Sequence, residues 1–221
     1  MTGNALVEIV ILALVAGFVA LRFVSVLGKR TGHEQTIGQP VDAAARAGGL
    51  PRSADATPAA GAIGLAGADI EPAAADGLRA VVAADPDFDV ARFLDGAQAA
   101  YRMVLEAFWE GDRDTLKSLV DTEVFDDFVA AIDARAAAGH VLENKLVRVE
   151  RARVMSASLN SLTAQISIQF DADIAALTRD AEGRIVAGSS DDAVETHDIW
   201  TFARHVRAED PNWLLIATDD A

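Results

Sequence analysis

Apolar and polar residues alternate along residues 193–218, and this alternation predicts two antiparallel strands joined by a turn. One face of the first strand carries two aromatic side chains flanked by opposite charges, in the order Asp198, Trp200, Phe202, Arg204. In the second strand, the pattern places three residues on one face: Trp213, Leu215 and Ala217. Residues 208–212 supply the turn, because Pro, Asp and Asn favour tight turns. An aromatic inner face needs a cover, which the rest of the chain must supply.

Apolar residues at three- and four-residue steps predict helices before this hairpin. We expect a long helix over 89–110 that Gly111 ends, a short helix over 114–119, and a third helix over 122–139 with an Asp or Thr cap. A weaker pattern predicts a short helix over 73–84. The aromatic residues of these helices that we interpret as core are Tyr101, Phe108 and Phe128.

After the third predicted helix, the spacing of apolar residues changes from three or four positions to two. Residues 141–158 and 162–170 alternate in the manner of half-buried strands, and the polar stretch 171–192 predicts a protruding hairpin that turns near Gly183. Helices followed by four long strands predict an α+β domain over 85–221, in which about three helices pack on one face of a curved four-stranded antiparallel sheet.

Residues 5–27 form an apolar stretch long enough to cross a bilayer as a helix. A cleaved signal peptide is the alternative, but it would need a basic start that this chain lacks. Arg22 lies near the C-terminal end of the stretch, and Lys29 and Arg30 follow it. The positive-inside rule therefore places the N-terminus outside and the remaining chain in the cytoplasm, or in the matrix of an organelle. Residues 28–72 are rich in Ala, Gly and Pro, and this composition predicts a flexible linker.

The chain is acidic, with a formal charge of −15. Residues 85–221 alone carry 13 basic and 27 acidic side chains. This balance argues against nucleic-acid binding, which needs clustered Lys and Arg, and favours a basic protein partner. The chain has no cysteine, which excludes disulfides and thiol chemistry.

Catalytic motifs are absent from the sequence, and we expect no cofactor and no metal site. His197 and His205 lie too far apart along one strand to share a metal ion. Asp198 and Arg204 share a face with the aromatic residues and have two interpretations. They are charges at the strand ends, exposed or paired with helix residues, or Asp198 transfers protons inside a cavity that raises its pKa.

Four segments resemble the Tim-forty-four-like family, named after a subunit of the mitochondrial inner-membrane translocase. They are residues 85–120, residues 121–135, DIWTFAR at 198–204 and DPNW at 210–213. The bacterial, TimA-type members of that family combine an N-terminal membrane helix, a variable linker and this domain. The mitochondrial subunit instead has a long N-terminal chaperone-binding region, so the resemblance concerns the C-terminal domain.

The resemblance implies a cone-shaped fold similar to nuclear transport factor two or cystatin, with an apolar cavity. It also implies an adaptor at an inner membrane, which for a bacterial chain is the cytoplasmic membrane, together with lipid binding. Our main hypothesis is a membrane-anchored adaptor whose domain binds a protein or lipid, with a link to protein translocation. The alternatives are a small-molecule enzyme that uses Asp198, such as an isomerase or dehydratase, and a scaffold that acts through the helix alone. The candidate contact residues are Asp198, Trp200, Phe202, Arg204, Trp213, Tyr101, Phe108 and Phe128.

Overall fold

The structure is a computed structural model that describes residues 68–221. The predicted membrane helix at 5–27, and the predicted linker up to residue 67, lie outside the described residues. Between residues 68 and 221, no helix combines the length and the apolar character needed to cross a membrane.

Four α-helices precede the sheet. They are α1 (Ala75–Ala84), α2 (Val90–Glu110), α3 (Arg113–Leu119) and α4 (Thr122–Ala137). Aspartate side chains cap α2, α3 and α4, since Asp89, Asp112 and Asp121 each accept a hydrogen bond from a backbone N–H of the first turn. Gly111 ends α2 in the left-handed conformation, with φ of 76°. The aspartates thus mark where three helices begin, and Gly111 marks where α2 ends.

Five antiparallel strands form one sheet. They are β1 (Val141–Leu142), β2 (Lys145–Asn160), β3 (Thr163–Arg179), β4 (Ile185–His205) and β5 (Leu214–Asp220). Strands β1 and β2 both pair with β3, which pairs with β4, and β4 pairs with β5. The predicted α+β class, helices and long antiparallel strands are therefore confirmed, but the strand predicted over 141–158 is divided into β1 and β2.

The hydrophobic core lies between the helices and the sheet. Strand β3 alternates along its central part, with its inner residues fully buried: Ala164, Ile166, Ile168, Phe170 and Ala172. Helix α1 contributes Leu78 and Val81, both without exposed surface, and packs on β2. A Cβ atom on Gly77 would lie 1.8 Å from the carbonyl oxygen of Ala157, so glycine permits this close approach of helix and strand.

Residues 68–71, which we call the entry segment, lie against β2. The backbone N–H of Glu71 donates to the carbonyl of Val154, and the N–H of Val154 donates to the carbonyl of Asp69. Arg153 pairs with Asp69 at 3.1 Å and with Glu71 at 2.6 Å, and Arg151 also pairs with Asp69. The packed region thus includes residues on the N-terminal side of position 85, where the sequence pattern placed the start of the domain.

A β-bulge changes the predicted face of one residue in β5. Phe202 lies opposite Leu215, but Thr201 lies opposite Ala217, so the register shifts between these two pairs. Directly paired residues share a face of the sheet, and Ala217 therefore lies on the outer face with Thr201. The expectation that Ala217 shares a face with Leu215 is wrong, because strict alternation does not survive the bulge.

Candidate functional site

Aromatic side chains fill the space between α2 and the middle of the sheet. The ring of Tyr101 on α2 stacks on Phe170 of β3, with centroids 4.5 Å apart, and lies 4.6 Å from the ring of Trp200 on β4. Tyr101, Phe170, Trp200 and Phe202 are almost completely buried. The centre of the domain is therefore filled by aromatic rings.

One carboxyl group enters this aromatic centre. The hydroxyl of Tyr101 donates to Oδ2 of Asp198 at 2.5 Å. Burial raises the pKa of Asp198 above its ordinary value, with a further contribution from the charge of Asp220 on β5, while the Tyr101 hydrogen bond lowers it. Burial and the Asp198 carboxyl raise the pKa of Tyr101. The pair is a buried donor and acceptor in which ionisation of either group is unfavourable.

A second group lies at the N-terminal end of α2. Arg204 of β4 forms an ion pair with Asp85, and both side chains are largely buried, at 14% and 12% exposure. The guanidinium carbon of Arg204 also lies 5.3 Å from the centroid of the Trp213 ring, a cation–π contact. Trp213 packs on Phe93, with centroids 4.6 Å apart, and is half-buried. This end of the domain therefore combines the largely buried Arg204–Asp85 ion pair with the partly accessible ring of Trp213.

A third group lies at the C-terminal end of α2. Phe108 of α2 and Phe128 of α4 contact each other with ring centroids 5.2 Å apart, and both are half-buried. Nη2 of Arg135 donates to the carbonyls of Phe108 and Trp109, each at 3.1 Å, and its guanidinium carbon lies 5.3 Å from the Phe108 ring. Burial lowers the pKa of Arg135. The guanidinium thus caps α2 and fixes α4 across its end.

The titratable side chains of residues 68–221 do not assemble a metal centre. Within residues 68–221, no group of three or more His, Asp or Glu side chains is arranged to hold a metal ion. The exposed ring of His197 instead hydrogen-bonds Asp171 at 2.8 Å, which raises the pKa of His197.

The eight candidate residues from the sequence fall into these three groups. The centre holds Tyr101, Asp198, Trp200 and Phe202; the N-terminal end of α2 holds Arg204 and Trp213; the C-terminal end holds Phe108 and Phe128. Asp198 pairs with Tyr101 of α2, and Arg204 pairs with Asp85 in the connection between α1 and α2. Sequence reasoning missed Asp85 and Arg135, because nothing in their local pattern distinguishes them from surface charges.

The fold and these contacts define an α+β domain in which four helices pack with an antiparallel sheet around an aromatic centre. Residues 74–220 match the family model described as the Tim44-like domain, about two thirds of the chain. The chain belongs to the Tim44-like family.

One curated relative is the mitochondrial import inner membrane translocase subunit TIM44-1 of Arabidopsis thaliana. It is 26% identical over 118 residues, a match that covers 53% of this chain and 25% of the relative. Among solved structures, the intermembrane space region of the chloroplast protein ARC6 aligns with a TM-score of 0.41 at 11% identity, over 57% of this chain and 95% of that one. A likeness of that degree carries no functional argument.

Proposed function

We propose that this protein is a membrane-anchored adaptor whose C-terminal domain binds a protein partner or a lipid at the cytoplasmic face of a bacterial inner membrane, in connection with protein translocation. The match of residues 74–220 to the Tim44-like domain is the observation that carries the proposal. The name of the relative TIM44-1, an import translocase subunit of an inner membrane, supports the same setting. In this proposal residues 5–27 form the anchor and the linker gives the domain reach along the membrane.

The half-buried aromatic residues at the two ends of α2 are the proposed contact surface. Trp213 at one end, and Phe108 with Phe128 at the other, can meet a partner without opening the core. Tyr101, Trp200 and Phe202 support this surface from inside. Since the chain carries a net charge of −15, a basic protein segment is the partner that electrostatics favours.

Photo-crosslinking in cells tests this proposal. A photoreactive amino acid replaces Trp213 in the full-length chain, and a matched variant carries it at Met103, which is 43% exposed on the outer side of α2. We expect discrete protein or lipid adducts from position 213 that position 103 does not give. Identical adducts from both positions, or adducts from neither, would contradict the proposed surface.

Proton transfer by Asp198 is the alternative function. The observation that favours it is a carboxyl group with a raised pKa held 2.5 Å from the Tyr101 hydroxyl inside the domain. In the full chain, Asp198→Asn separates the two functions. If the protein is an enzyme that uses Asp198, the variant should lose its function in cells while the adducts from position 213 persist. If it is an adaptor, the variant should retain both its function in cells and those adducts.

A further inference from the structure

Part of one edge of strand β4 has no strand beside it. Strand β3 pairs with one edge along most of β4, whereas β5 pairs with the opposite edge only from Asp198 to Ala203. The backbone N–H of Ala221 also donates to the carbonyl of His197 on the β5 side. Over residues 193–196, which we call the open edge, no strand or bridge of the described chain pairs with that side of β4. An added strand would continue the line of β5.

The backbone of the open edge presents hydrogen-bonding groups outward. In an antiparallel strand, the backbone groups of alternate residues point to opposite edges. The His197 carbonyl points to the β5 side, and the register with β3 is regular from Ala193 to Asp198. The N–H and carbonyl groups of Glu195 and Ala193, two and four positions before His197, therefore point to the same side. They can bond to the backbone of an added strand.

An apolar side chain on the core face of the open edge lacks a cover. Val194 lies opposite Ile174 of β3, and Ile174 lies opposite Leu146 of β2, so the three share one face of the sheet. Leu146 is buried and Ile174 is half-buried, but Val194 is 64% exposed. No other large apolar residue between positions 68 and 221 has a higher exposed fraction. A neighbouring apolar side chain on an added strand would cover Val194.

The charge along the open edge has one sign. Asp191, Asp192 and Glu195 are all exposed. No lysine or arginine occurs from position 185 to position 203, and none from 208 to 221. The strand that carries the open edge and the strand that would precede an added one therefore both lack Lys and Arg.

The cationic side chains that neighbour the open edge already have acidic partners. His197 hydrogen-bonds Asp171 at 2.8 Å and lies 3.9 Å from Glu195. Arg148, in the row of the sheet that includes Glu195, forms ion pairs with two other carboxylates. Neither side chain offsets the charge of the exposed aspartates, and the open edge remains negative.

This charge selects the kind of strand that can be added. A second copy of the chain would place its own acidic edge here, and like charges on paired strands are destabilising. An anionic lipid surface is repelled for the same reason. An extended segment with basic side chains is attracted, and alternation sends its side chains to opposite faces. Its basic side chains would lie beside Glu195 and its apolar ones beside Val194.

We propose that the open edge of β4 binds an extended segment of a partner protein as an added strand, in which Lys or Arg alternates with apolar residues. The inference rests on the proposed adaptor function and deepens it, because it gives the basic partner a place and a conformation. The aromatic contact surface at the ends of α2 consists of other residues, so the two surfaces can be tested separately.

Peptide binding by the full-length protein in detergent tests the inference. One labelled probe is Val-Lys-Val-Lys-Val-Lys-Val, and the other, Val-Val-Lys-Lys-Lys-Val-Val, has the same composition and charge. We expect fluorescence anisotropy to show that the alternating peptide binds at least about tenfold more tightly, because only alternation places all three lysines on one face of a strand. Equal binding would mean attraction by charge without strand pairing.

Methylation of the peptide backbone tests the hydrogen bonds. One version of the alternating peptide carries methyl groups on the lysine amides, and another carries them on the amides of the last three valines. An added strand turns only one of these two sets of N–H groups toward β4. One version should therefore bind at least about tenfold more weakly than the other. Equal affinities of the two versions would contradict strand addition.

Substitutions at Ala193 locate the bound strand. Ala193→Pro removes an N–H group that points away from β3, so it blocks the added strand and leaves the charge and the pairing with β3 unchanged. Ala193→Thr keeps the N–H group and is the matched control. We expect the proline variant to abolish the preference for the alternating peptide and the threonine variant to retain it. If the proline variant does not fold, the charge variants below decide.

A second pair of variants tests the charge. One removes the acidic side chains of the open edge and its neighbours: Asp191→Asn, Asp192→Asn and Glu195→Gln. The control removes the same three charges from exposed positions of α4: Glu123→Gln, Asp126→Asn and Asp127→Asn. We expect the first variant to bind the alternating peptide at least about tenfold more weakly than the control does. The difference between them should shrink as salt is added.

Three further outcomes overturn the inference: a preference for alternation that survives Ala193→Pro, equal losses from the two charge variants, or a dimer in light scattering that Ala193→Pro dissociates. The last would assign the edge to a second copy. Each leaves the adaptor proposal standing if position 213 still captures its own adducts. Loss of those adducts together with intact peptide binding would instead remove the proposed aromatic surface and keep the open edge.

Discussion

A carboxyl group packed among aromatic rings has an energy that depends strongly on its protonation state. Asp198 accepts the hydrogen bond of Tyr101, a residue with no exposed surface, and stands beside Trp200 on the same strand. The neutral form suits this environment better than the charged one, which is why burial raises the pKa of Asp198. The protonation state of Asp198 in the folded domain is therefore measurable through the pH dependence of stability.

We predict that Asp198→Asn changes how stability depends on pH. Below the ordinary pKa of 3.8, Asp198 is protonated in both folded and unfolded chains, and its contribution to stability is complete. As the pH rises through the raised pKa of the folded state, the buried group ionises and that contribution is lost. The unfolding free energy of the wild type minus that of Asp198→Asn should fall as the pH rises, in urea titrations followed by tryptophan fluorescence.

The control for this measurement is Asp192→Asn, which removes the same formal charge from an exposed position of the β3–β4 hairpin. A difference between wild type and Asp198→Asn that stays constant or grows with pH would mean that the carboxyl is ionised without penalty in the folded domain.

Alternation along β4 was enough to predict that Asp198, Trp200, Phe202 and Arg204 face one way. It could not predict their partners. The Tyr101–Asp198 hydrogen bond joins residues 97 positions apart, and the Arg204–Asp85 pair spans 119. Contacts at such separations depend on how helix and sheet are registered in three dimensions, and local periodicity carries no information about that.

At the scale of elements, the packing of helix α1 on β2 depends on the absence of a side chain at Gly77. Gly77→Ala would place a methyl group within 1.8 Å of the Ala157 carbonyl oxygen, which belongs to backbone and cannot turn away. We predict a loss of about 1–3 kcal/mol in unfolding free energy, the usual cost of overpacking. Urea denaturation of the full-length chain measures this loss.

Gly96→Ala is the matched substitution on α2, where nothing lies within 4 Å of the added Cβ. It should stabilise the chain by roughly 0.5–1 kcal/mol, because alanine loses less backbone freedom in a helix than glycine does. Equal effects of the two substitutions would show that α1 is not packed on β2 in solution.

Element boundaries were predictable wherever a cap or a turn residue marks them. Gly111 ends α2, Asp121 caps α4, and the β3–β4 turn lies near Gly183, as expected. The caps at Asp89 and Asp112 were not among the predictions. The bulge in β5 was not predictable, because its sequence continues to alternate through Leu215 and Ala217. A bulge arises from the pairing of two strands, and neither strand alone reveals it.

At the scale of the whole molecule, the negative charge of the domain opposes the membrane contact that the proposed anchor would impose. A bilayer with anionic lipids repels an acidic domain within a Debye length of about 8–10 Å. We predict that the full-length protein fractionates with membranes, and that its C-terminal part resists protease added to spheroplasts but is cleaved in inverted vesicles. Recovery in the soluble fraction, or cleavage in intact spheroplasts, would contradict the proposed topology.

An exchange of residues 5–27 for an unrelated single-pass anchor separates an adaptor from a scaffold that works through the helix. We expect the exchanged chain to retain function and the adducts at position 213, because the proposal assigns recognition to the domain. Loss of function with unchanged membrane fractionation would favour the scaffold.

The entry segment determines how the domain would respond to mechanical load. Two backbone hydrogen bonds join it to Val154 in a parallel arrangement, and Arg151 and Arg153 add ion pairs to Asp69 and Glu71. Tension drawn from the N-terminal side along the strand axis shears these bonds together instead of opening them one after another. If residues 5–27 are the proposed anchor, tension from that side would be borne by the contacts with β2 before it reached α1.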